Sequence, residues 1–403
     1  MKILLVHNFY GSAAPSGENA VYEAERDLLR QHGHEVSEFT RHSDEIRARG
    51  VFGTIQGALA TPWNPLMARA VKRELARFCP DVVHVHNTFP LISPAIFPAI
   101  GNQAARVMTL HNYRLFCPAG IPMRDGKVCT DCLDRHTVWP GLYHGCYRNS
   151  RLATLPLAAN VALHRQLGTW TQQVDGFIAL TEFQRERMIA AGLPAERVQV
   201  KPNFYPGAPV VIPWPERQPC AVFAGRLTGE KGVEALVRAW LLWGAEAPEL
   251  RIVGDGGLRG ELERLAATHP QVPIRFLGQL SGEAAQSEIA HASLLVLPSE
   301  CFEGFPMVVR EAFAFGTPAA VSDIGPLPSI VKHGENGVVF APGNPASLLD
   351  VVQQAWTTPG ILENMALAAR ATFEALYTEE ANYRTLMDIY GKARARSHSL
   401  RQT

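Results

Sequence analysis

Short β-branched or leucine-rich runs alternate with longer helical patterns along most of the chain. Six such runs lie in each half: KILLVH, HEVSEF, DVVHVH, ARVMTL, DGFIAL and RVQVKP, then CAVFAG, ELRIVG, IRFLG, SLLVLP, PAAVS and GVVF. This alternation is typical of parallel α/β domains, in which a helix carries the chain back to the start of the next strand. The pattern predicts two similar, doubly wound α/β domains.

A proline-rich stretch separates the two halves. The run NFYPGAPVVIPWPERQP contains five prolines and one glycine, a composition that favours a linker over a helix or strand. We therefore predict a first domain over residues 1–204, a linker over 205–217 and a second domain over 218–380. Residues 381–403 are predicted to form a C-terminal helix that packs back on the first domain. A length of 403 residues suits two domains of roughly 200 residues each.

The charge balance narrows the class of partner. Lys+Arg and Asp+Glu each number 38, which disfavours a nucleic-acid binder. Residues 1–205 nevertheless hold 22 basic and 17 acidic residues, so the two halves differ in sign. Such a split fits two domains that face different partners, or simple compositional drift. Because no apolar run spans a bilayer and the opening MKILLVHN is too short for a signal peptide, we expect a cytoplasmic protein.

Two loops follow predicted strands at places where a phosphate can bind. Residues 10–19 follow the first strand and bring Gly17 to a helix start, although they lack the GxGxxG pattern of dinucleotide sites. In the second half, GRLTGEKG places Arg226 and Lys231 between a strand and a helix, where two cations would neutralise a diphosphate. Taken singly, each loop also fits a tight turn or a solvated charged loop.

The segment PSECFEGFPMVVRE gives the strongest signal. It follows the buried run SLLVLP, and Pro306 suits the first turn of the next helix. Glu303 lies in the loop and Glu311 lies more than a turn inside the helix, so one carboxylate would meet a sugar and the other the ribose of one extended ligand. Three main-chain amides near the helix start would donate to phosphate oxygens, namely those of Phe305, Met307 and Val308. A capped helix start with two solvated glutamates is the simpler alternative.

These motifs resemble the donor site of retaining glycosyltransferases of family 4. The resemblance rests on EGFPMVVRE and GRLTGEKG, and APSGEN, HVHNTFPLISP and TLHNYRLFCP extend it into the first half. RDGKVCTDC is similar to a bacterial subgroup that acts in polysaccharide assembly. The resemblance implies a GT-B fold, in which two Rossmann-like domains face a central cleft. It also implies transfer from a nucleotide-sugar with retained anomeric configuration and no catalytic metal.

The resemblance also implies roles for individual residues. Arg226 and Lys231 would bind the donor diphosphate, Glu311 the ribose and Glu303 the transferred sugar. Gly17 would close the first loop over the phosphates, and His111 would face the sugar or the acceptor. The family often has His-Asp where this chain has His111-Asn112, so a carboxylate role is not carried over. The remaining donor-site positions implied by the resemblance are Gly254, Gly304, Phe305, Pro306, Met307 and Val308.

Two histidines on one predicted strand form a separate candidate site. His84 and His86 in DVVHVHN point to the same face of the strand. No carboxylate near them in the sequence pairs with them to complete a metal site. We therefore favour histidines that form hydrogen bonds within the fold over metal ligands. We expect His86, Asn87 and Asn112 to contact the acceptor. For His86 and Asn87, contact with the donor is the alternative.

The irregular stretch 112–150 contains four of the seven cysteines. Cys117, Cys129, Cys132 and Cys146 follow the pattern Cys-x11-Cys-x2-Cys-x13-Cys, with a single Cys-x2-Cys knuckle. Four thiolates would hold a structural zinc and fix the shape of this long insertion. Reduced structural thiols are the main alternative, and disulfides or a redox role are the others.

The acceptor side is less determined by the sequence. Trp139, Tyr143 and Tyr147 lie near Arg148 and Arg151, which fits either a glycolipid or inner-membrane surface, or packing of the insertion onto its domain. The family resemblance implies a glycan or lipid-linked acceptor. An epimerase of GT-B fold and a zinc-bearing interaction module are the alternative functions. The sequence leaves open the donor's base and sugar, the acceptor and the oligomeric state.

Overall fold

The computed structural model describes residues 1–12 and 16–402, with side chains to residue 399. The chain divides into two compact units. Unit 1 comprises residues 1–122, residues 129–203 and the chain from Asn382 onward, and unit 2 comprises residues 123–128 and 204–381. Residues 205–217 therefore belong to unit 2.

A six-stranded sheet forms the centre of unit 1. Its strand order is β2-β1-β3-β4-β7-β8, and every neighbouring pair is parallel. The strands are β1 (Lys2–Phe9), β2 (Glu35–His42), β3 (Val82–Asn87), β4 (Ala105–Leu110), β7 (Gly176–Ala179) and β8 (Val198–Val200). A separate two-stranded antiparallel hairpin consists of β5 (Met123–Arg124) and β6 (Lys127–Val128).

Unit 2 contains a second parallel sheet of six strands. The strands are β9 (Gln218–Ala224), β10 (Glu249–Val253), β11 (Ile274–Gly278), β12 (Ala292–Leu297), β13 (Ala319–Ser322) and β14 (Gly337–Phe340). They lie in the order β11-β10-β9-β12-β13-β14, which is the doubly wound order of a Rossmann-like domain. All twelve predicted strands are confirmed, because each of the predicted runs forms one strand of a parallel sheet.

Helices connect the strands in both units. Those of the first stretch are α1 (Gly17–Gln31), α2 (Asp44–Ala48), α3 (Gly50–Ala60), α4 (Pro65–Phe78), α5 (Ile96–Ile100), α6 (Asp131–Asp134), α7 (Trp139–His144), α8 (Arg151–Gln166), α9 (Thr169–Gln172) and α10 (Glu182–Ala190). Those that follow β9 are α11 (Val233–Trp243), α12 (Arg259–Ala267), α13 (Gly282–His291), α14 (Met307–Ala314), α15 (Leu327–Ile330), α16 (Pro345–Thr357), α17 (Ile361–Leu376) and α18 (Glu379–Gln402). The described part of the chain contains no helix both long and apolar enough to cross a bilayer.

The order of strands reverses once in each sheet. In unit 1 the reversal lies between β1 and β3, and in unit 2 it lies between β9 and β12. Ligands of open parallel sheets bind beyond the carboxyl ends of the strands at this reversal. The loops that follow β9 and β12 carry the predicted diphosphate and sugar contacts, so the topology of unit 2 brings them to one place.

The last helix completes the core of unit 1. Leu386, Ile389, Tyr390 and Ala393 of α18 are fully or almost fully buried in one cluster with residues of β1, β3, β4 and β7. The helix therefore replaces a connecting helix on one face of the sheet, although it comes from the far end of the sequence.

A buried ion pair fixes the start of β4. The Arg106 guanidinium lies 3.0 Å from the Asp175 carboxylate, and both side chains are at most 2% exposed. Since β4 ends at Leu110, the strand anchored by this pair carries His111 at its other end.

The proline-rich stretch is anchored on unit 2. The Arg217 side chain donates to the carbonyls of Ala292 and Phe315 and to the Thr317 hydroxyl, and the Tyr205 hydroxyl donates to Gln286. These bonds hold both ends of the stretch to one unit. Residues 112–150 are less irregular than the sequence indicates, since they contain the β5–β6 hairpin, α6 and α7.

Candidate donor site and buried histidine cluster

Glycines allow the loops at the reversal point of unit 2 to approach one another. A Cβ atom at Gly254 would lie 1.9 Å from the Gly225 carbonyl oxygen, and one at Gly232 would lie 1.9 Å from the Pro298 carbonyl oxygen. Both residues have positive φ, at +133° and +65°. Glycine is therefore required at both positions, because a side chain would separate the loops that follow β9, β10 and β12.

Lys231 and Glu303 join the two predicted parts of the site. The Lys231 ammonium lies 2.8 Å from Glu303 Oε1, and the Ser299 hydroxyl donates to the same oxygen at 2.6 Å. Burial by itself lowers the pKa of Lys231, but the Glu303 carboxylate outweighs it, and the pKa is raised. Lys231 therefore remains a cation, fixed at the reversal point. Within the described part of the chain, Glu303 Oε2 accepts no hydrogen bond from the protein.

Arg226 lies nearer to solvent than Lys231. Its side chain is 64% exposed, and its guanidinium lies 3.3 Å from the Glu230 carboxylate. The loops that follow β9 and β12 are also joined through their main chains, since the Glu300 amide donates a hydrogen bond to the Glu230 carbonyl at 2.9 Å. The site thus has one enclosed cation and one exposed cation on the same loop.

The start of α14 differs by one position from the prediction. Pro306 is the N-cap residue with φ −76° and ψ 94°, and the helix begins at Met307, so the proline precedes the first turn. The Val309 and Arg310 amides already donate to the Pro306 carbonyl. The amides of Met307 and Val308 lie at the N-terminal end of this eight-residue helix, where the helix dipole favours an anion.

Glu311 lies one turn further along α14. Its carboxylate is 3.3 Å from the Arg310 guanidinium, which itself donates to the Phe204 carbonyl. Burial raises the pKa of Glu311, and Arg310 opposes the rise. The 21% exposure of its side chain leaves the carboxylate accessible to a ligand.

In unit 1, the residues predicted to contact the sugar or acceptor line one pocket. His86, Asn87, His111 and Asn112 are among its walls, with Arg114 at its side. His111 follows β4 and its Nε2 lies 3.1 Å from His86 Nδ1. Burial and the neighbouring His86 and His7 lower the pKa of His111 well below its ordinary value, so the ring is neutral near pH 7.

Asn87 and Asn112, two of the asparagines that line this pocket, already have partners in the protein. Asn87 is 7% exposed; its amide donates to the Asn8 carbonyl, and its carbonyl accepts from the Phe89 amide. Asn112 donates to Glu18 Oε1 at 2.8 Å and accepts from the Arg114 amide. Both residues therefore support the pocket wall through their own hydrogen bonds.

The predicted loop around Gly17 is only partly described. Gly17 is the first residue of α1, and the Ser16 side chain caps the helix by accepting from the Asn19 amide. Residues 13–15, which include the start of the APSGEN motif, lie outside the described residues.

Two family comparisons correspond to the two halves of the chain. The sequence model described as Glycosyltransferase Family 4 matches residues 17–206, and that described as Glycosyl transferases group 1 matches residues 208–372. The chain belongs to the family 4 glycosyltransferases of GT-B fold.

Among curated relatives of this chain, an uncharacterized glycosyltransferase of Methanocaldococcus jannaschii is 33% identical over 42% of the chain and 46% of its own length. The lipopolysaccharide 1,6-galactosyltransferase of Salmonella typhimurium is 31% identical over 45% of the chain and 52% of its own length. The chain thus spans about half of the length of these relatives. The structure of HepE of Anabaena in complex with UDP-glucose matches with a TM-score of 0.62 and 20% identity, over 97% of this chain and 100% of that one.

The chain also contains a buried cluster that the sequence analysis did not predict. Glu25 of α1 lies 3.0 Å from His84 Nδ1 and 3.2 Å from His86 Nε2, so the carboxylate that seemed absent comes from a distant helix. A sequence signal existed, because Glu25 interrupts the apolar face formed by Val21, Tyr22, Leu28 and Leu29. A charged residue on a buried face indicates a buried partner.

The four cysteines of the insertion form no disulfide in the described part of the chain, and their sulfur atoms are not gathered into a closed metal site. Cys132 interacts electrostatically with Cys117, Cys129 and Cys146. In the described residues, however, no three of these sulfur atoms lie within 4.8 Å of one another, and Glu25, His84 and His86 form the group that does. Burial raises the pKa of Cys117 to about 12 and of Cys132 to about 11, which favours neutral thiols. The zinc site therefore stays a prediction from spacing.

Substitution of Gly254 tests whether the close loop packing builds the donor site. We expect Gly254→Ala to lower the free energy of unfolding by about 1–3 kcal/mol, the cost of a strained backbone position, and to weaken nucleotide-sugar binding. Gly229→Ala is the matched control, since no atom lies within 4 Å of a Cβ there. Urea unfolding and isothermal titration measure the two effects; equal stability and affinity in both variants would contradict the assignment.

Proposed function

We propose that this protein is a retaining glycosyltransferase that moves a sugar from a nucleotide-sugar to a glycan or lipid-linked acceptor in cell-surface polysaccharide assembly. The observation that carries the proposal is the Lys231–Glu303 pair at the strand-order reversal of unit 2. An enclosed cation, a carboxylate with one oxygen available and a helix N-terminus meet there. This combination suits a diphosphate joined to a sugar.

The proposed reaction needs little acid–base chemistry from the protein. The acceptor oxygen forms a bond to the anomeric carbon on the face from which the donor phosphate leaves. The bond from that carbon to the phosphate oxygen breaks, and the phosphate oxygen takes the acceptor proton. Lys231 and Arg226 would stabilise the charge on the leaving diphosphate, and no catalytic metal is required.

The carboxylates would orient the donor. Glu303 Oε2 would accept from a hydroxyl of the transferred sugar, while Oε1 stays with Lys231 and Ser299. Glu311, one turn inside α14, would accept from the ribose hydroxyls. In unit 1, His111 would contact the sugar or acceptor from the pocket that it lines.

Two substitutions test the donor-site assignment. We expect Lys231→Ala to lower the transfer rate by about 10²–10³-fold, the effect of removing one preorganised charge-stabilising group. Glu311→Ala should mainly weaken donor binding, because ribose contacts are made before and during the reaction. Transfer from a panel of UDP- and GDP-sugars to a lipid-linked acceptor measures both effects, and the anomeric coupling in the product reports whether configuration is retained.

The control uses a lysine–glutamate pair on the surface of the same unit. Lys332 and Glu335 lie 3.5 Å apart and are 62% and 56% exposed. Lys332→Ala and Glu335→Ala should leave transfer unchanged. Folded Lys231→Ala with wild-type turnover would contradict the site, and conversion of the donor without acceptor would show a GT-B epimerase instead.

We further propose that unit 1 contacts the inner face of the membrane, which would place a cytoplasmic enzyme near a lipid-linked acceptor. Helix α3 contains no charged residue, and its apolar side chains are open to solvent, with Phe52 84%, Val51 74% and Leu59 73% exposed. Nearby elements add exposed apolar side chains, namely Trp139 and Tyr143 of α7 and Leu152 and Leu155 of α8. We call the exposed apolar residues of α3, α7 and α8 the apolar surface.

The net charge of unit 1 also supports the proposed contact of this unit with the membrane. Unit 1 contains 25 Lys+Arg and 17 Asp+Glu, whereas unit 2 contains 13 and 21. The net charges are therefore +8 and −8. Beside the apolar surface, the Arg151 guanidinium lies over the Tyr143 ring at 5.1 Å. A basic unit with exposed apolar residues suits a surface of anionic lipid.

Vesicle binding tests the membrane contact. We expect the protein to sediment at low salt with vesicles that contain phosphatidylglycerol, and Val51→Ser with Phe52→Ser to weaken binding about tenfold or more by removing buried apolar area. The matched control, Leu242→Ser with Leu367→Ser, changes residues of unit 2 that are 63% and 69% exposed. Absence of wild-type binding to anionic vesicles would contradict the proposal.

The sequence spacing alone supports a structural zinc in the insertion, which we retain as a proposal. A closed site of four thiolates requires the sulfur atoms to surround the ion at about 2.3 Å each, a closer group than the structure shows. We expect about one zinc per chain in protein purified without chelator, and loss of that zinc in Cys132→Ser. Cys79→Ser, a change at an exposed cysteine, is the control. Less than about 0.2 zinc per wild-type chain would exclude a structural site.

A further inference from the structure

The buried cluster around Glu25 reaches His111 through a second histidine. Glu25 is 1% exposed, and its Oε1 lies 3.0 Å from His84 Nδ1 and 3.2 Å from His86 Nε2. The other nitrogen of His86, Nδ1, lies 3.1 Å from His111 Nε2. A carboxylate, a fully enclosed imidazole and a partly exposed imidazole thus follow one another at close distances from the core of unit 1 toward the pocket, and the Glu25–His86 contact is a close electrostatic approach.

The second carboxylate oxygen of Glu25 faces a cation. The Lys201 ammonium lies 2.7 Å from Oε2 and also donates to Asn382 Oδ1 at 3.2 Å. Burial by itself raises the pKa of Glu25, but Lys201 and the two histidines outweigh it, and the pKa falls well below its ordinary value. Glu25 is therefore a carboxylate that only accepts hydrogen bonds.

A metal ion is a poorer occupant of this cluster than the proton network. Lys201 already supplies a positive charge to the carboxylate. Both ring nitrogens of His84 also have neighbours, since Nδ1 lies 2.8 Å from the Tyr390 hydroxyl and Nε2 lies 2.8 Å from the Thr109 hydroxyl. To bind His84, an ion would have to displace the Tyr390 or the Thr109 hydroxyl.

The carboxylate restricts where the protons of the two rings can lie. A neutral His86 has one N–H, and Nε2 must carry it, because an unshared electron pair there would face the Glu25 carboxylate. Nδ1 of His86 then accepts, so His111 must carry its proton on Nε2 in order to donate. His111 Nδ1 is left with an unshared electron pair.

We propose that Glu25 is a positioning residue that acts through His86 to hold His111 in the Nε2–H form, so that His111 Nδ1 accepts a hydrogen bond from a substrate hydroxyl. The catalytic meaning of this form rests on the proposed function, whereas the proton positions do not. The expected ligand group is a hydroxyl of the transferred sugar or of the acceptor. An anion at this nitrogen is disfavoured, because two electron pairs would face each other.

Nuclear magnetic resonance of the wild-type protein tests the proton positions directly. Long-range ¹H–¹⁵N correlation of ¹⁵N-histidine-labelled protein separates protonated from unprotonated ring nitrogens, and His86→Gln and His111→Gln assign two of the 14 histidines. We expect Nε2–H on both His86 and His111. An Nδ1–H form of His111 in the wild-type protein would overturn the proposal, whatever the enzyme's activity.

Glu25→Gln tests the role of the carboxylate. Lys201 only donates, so it should take the carbonyl of the new amide and turn the amide NH₂ toward His84 and His86. Both proton positions should then reverse, giving His111 Nδ1–H. We expect transfer to fall by about tenfold, the effect of one lost hydrogen bond, while affinity for UDP or GDP, which lack the sugar hydroxyl, stays unchanged. Folded Glu25→Gln with wild-type proton positions would overturn the proposal.

Two further variants separate this role from stability. Tyr390→Phe removes a partner of His84 in the same cluster but leaves the line from Glu25 to His111, so His111 should keep its Nε2–H form. If Glu25→Gln alone does not fold, its combination with Lys201→Gln removes the unpaired ammonium and still offers donors to Asn382 and to the carbonyl at position 25. Reversal in the folded double variant supports the proposal, and an unchanged His111 overturns it.

Discussion

Parallel pairing of every strand in the two six-stranded sheets is the constraint on which the sites depend. Because all strands of a sheet run in one direction, every loop after a strand emerges at the same edge. Where the strand order reverses, two of these loops are neighbours without a helix between them. Lys231 and Glu303 meet at that point in unit 2, and residues that are 72 positions apart in the chain form one ion pair.

The predictability of each feature depends on how local its cause is. The twelve strands follow from short β-branched or leucine-rich runs, and the loops after β9 and β12 follow from their motifs. Pro306 was misplaced by one position, because both the N-cap and the first turn tolerate proline's fixed φ. Glu25 was missed because its partners lie 59 and 61 positions away, on a strand whose neighbours are set by topology. The charged residue on the buried face of α1 was the one sequence signal for that cluster.

The two units place opposite net charge around ligands that are both expected to be rich in phosphate. At physiological salt the range of an exposed charge is only about 8 Å, so the net −8 of unit 2 does not decide whether a diphosphate binds. In the proposed donor site, the charges that would decide it are those of Lys231, Arg226 and the N-terminus of α14. For the membrane contact proposed for unit 1 the opposite would hold, because a flat lipid surface would meet many residues at once and respond to their summed charge.

Because α18 belongs to the core of unit 1, the two units are expected to complete folding in a different order from that in which they are synthesised. Leu386, Ile389 and Tyr390 complete a core whose strands begin at Lys2, so the ribosome has to make all of unit 2 before that core can close. Unit 2 contains its own sheet and core and can fold earlier. We therefore expect the apolar face of the first sheet that α18 covers to stay exposed during translation, and the newly made N-terminal half to be prone to aggregation until α18 is made.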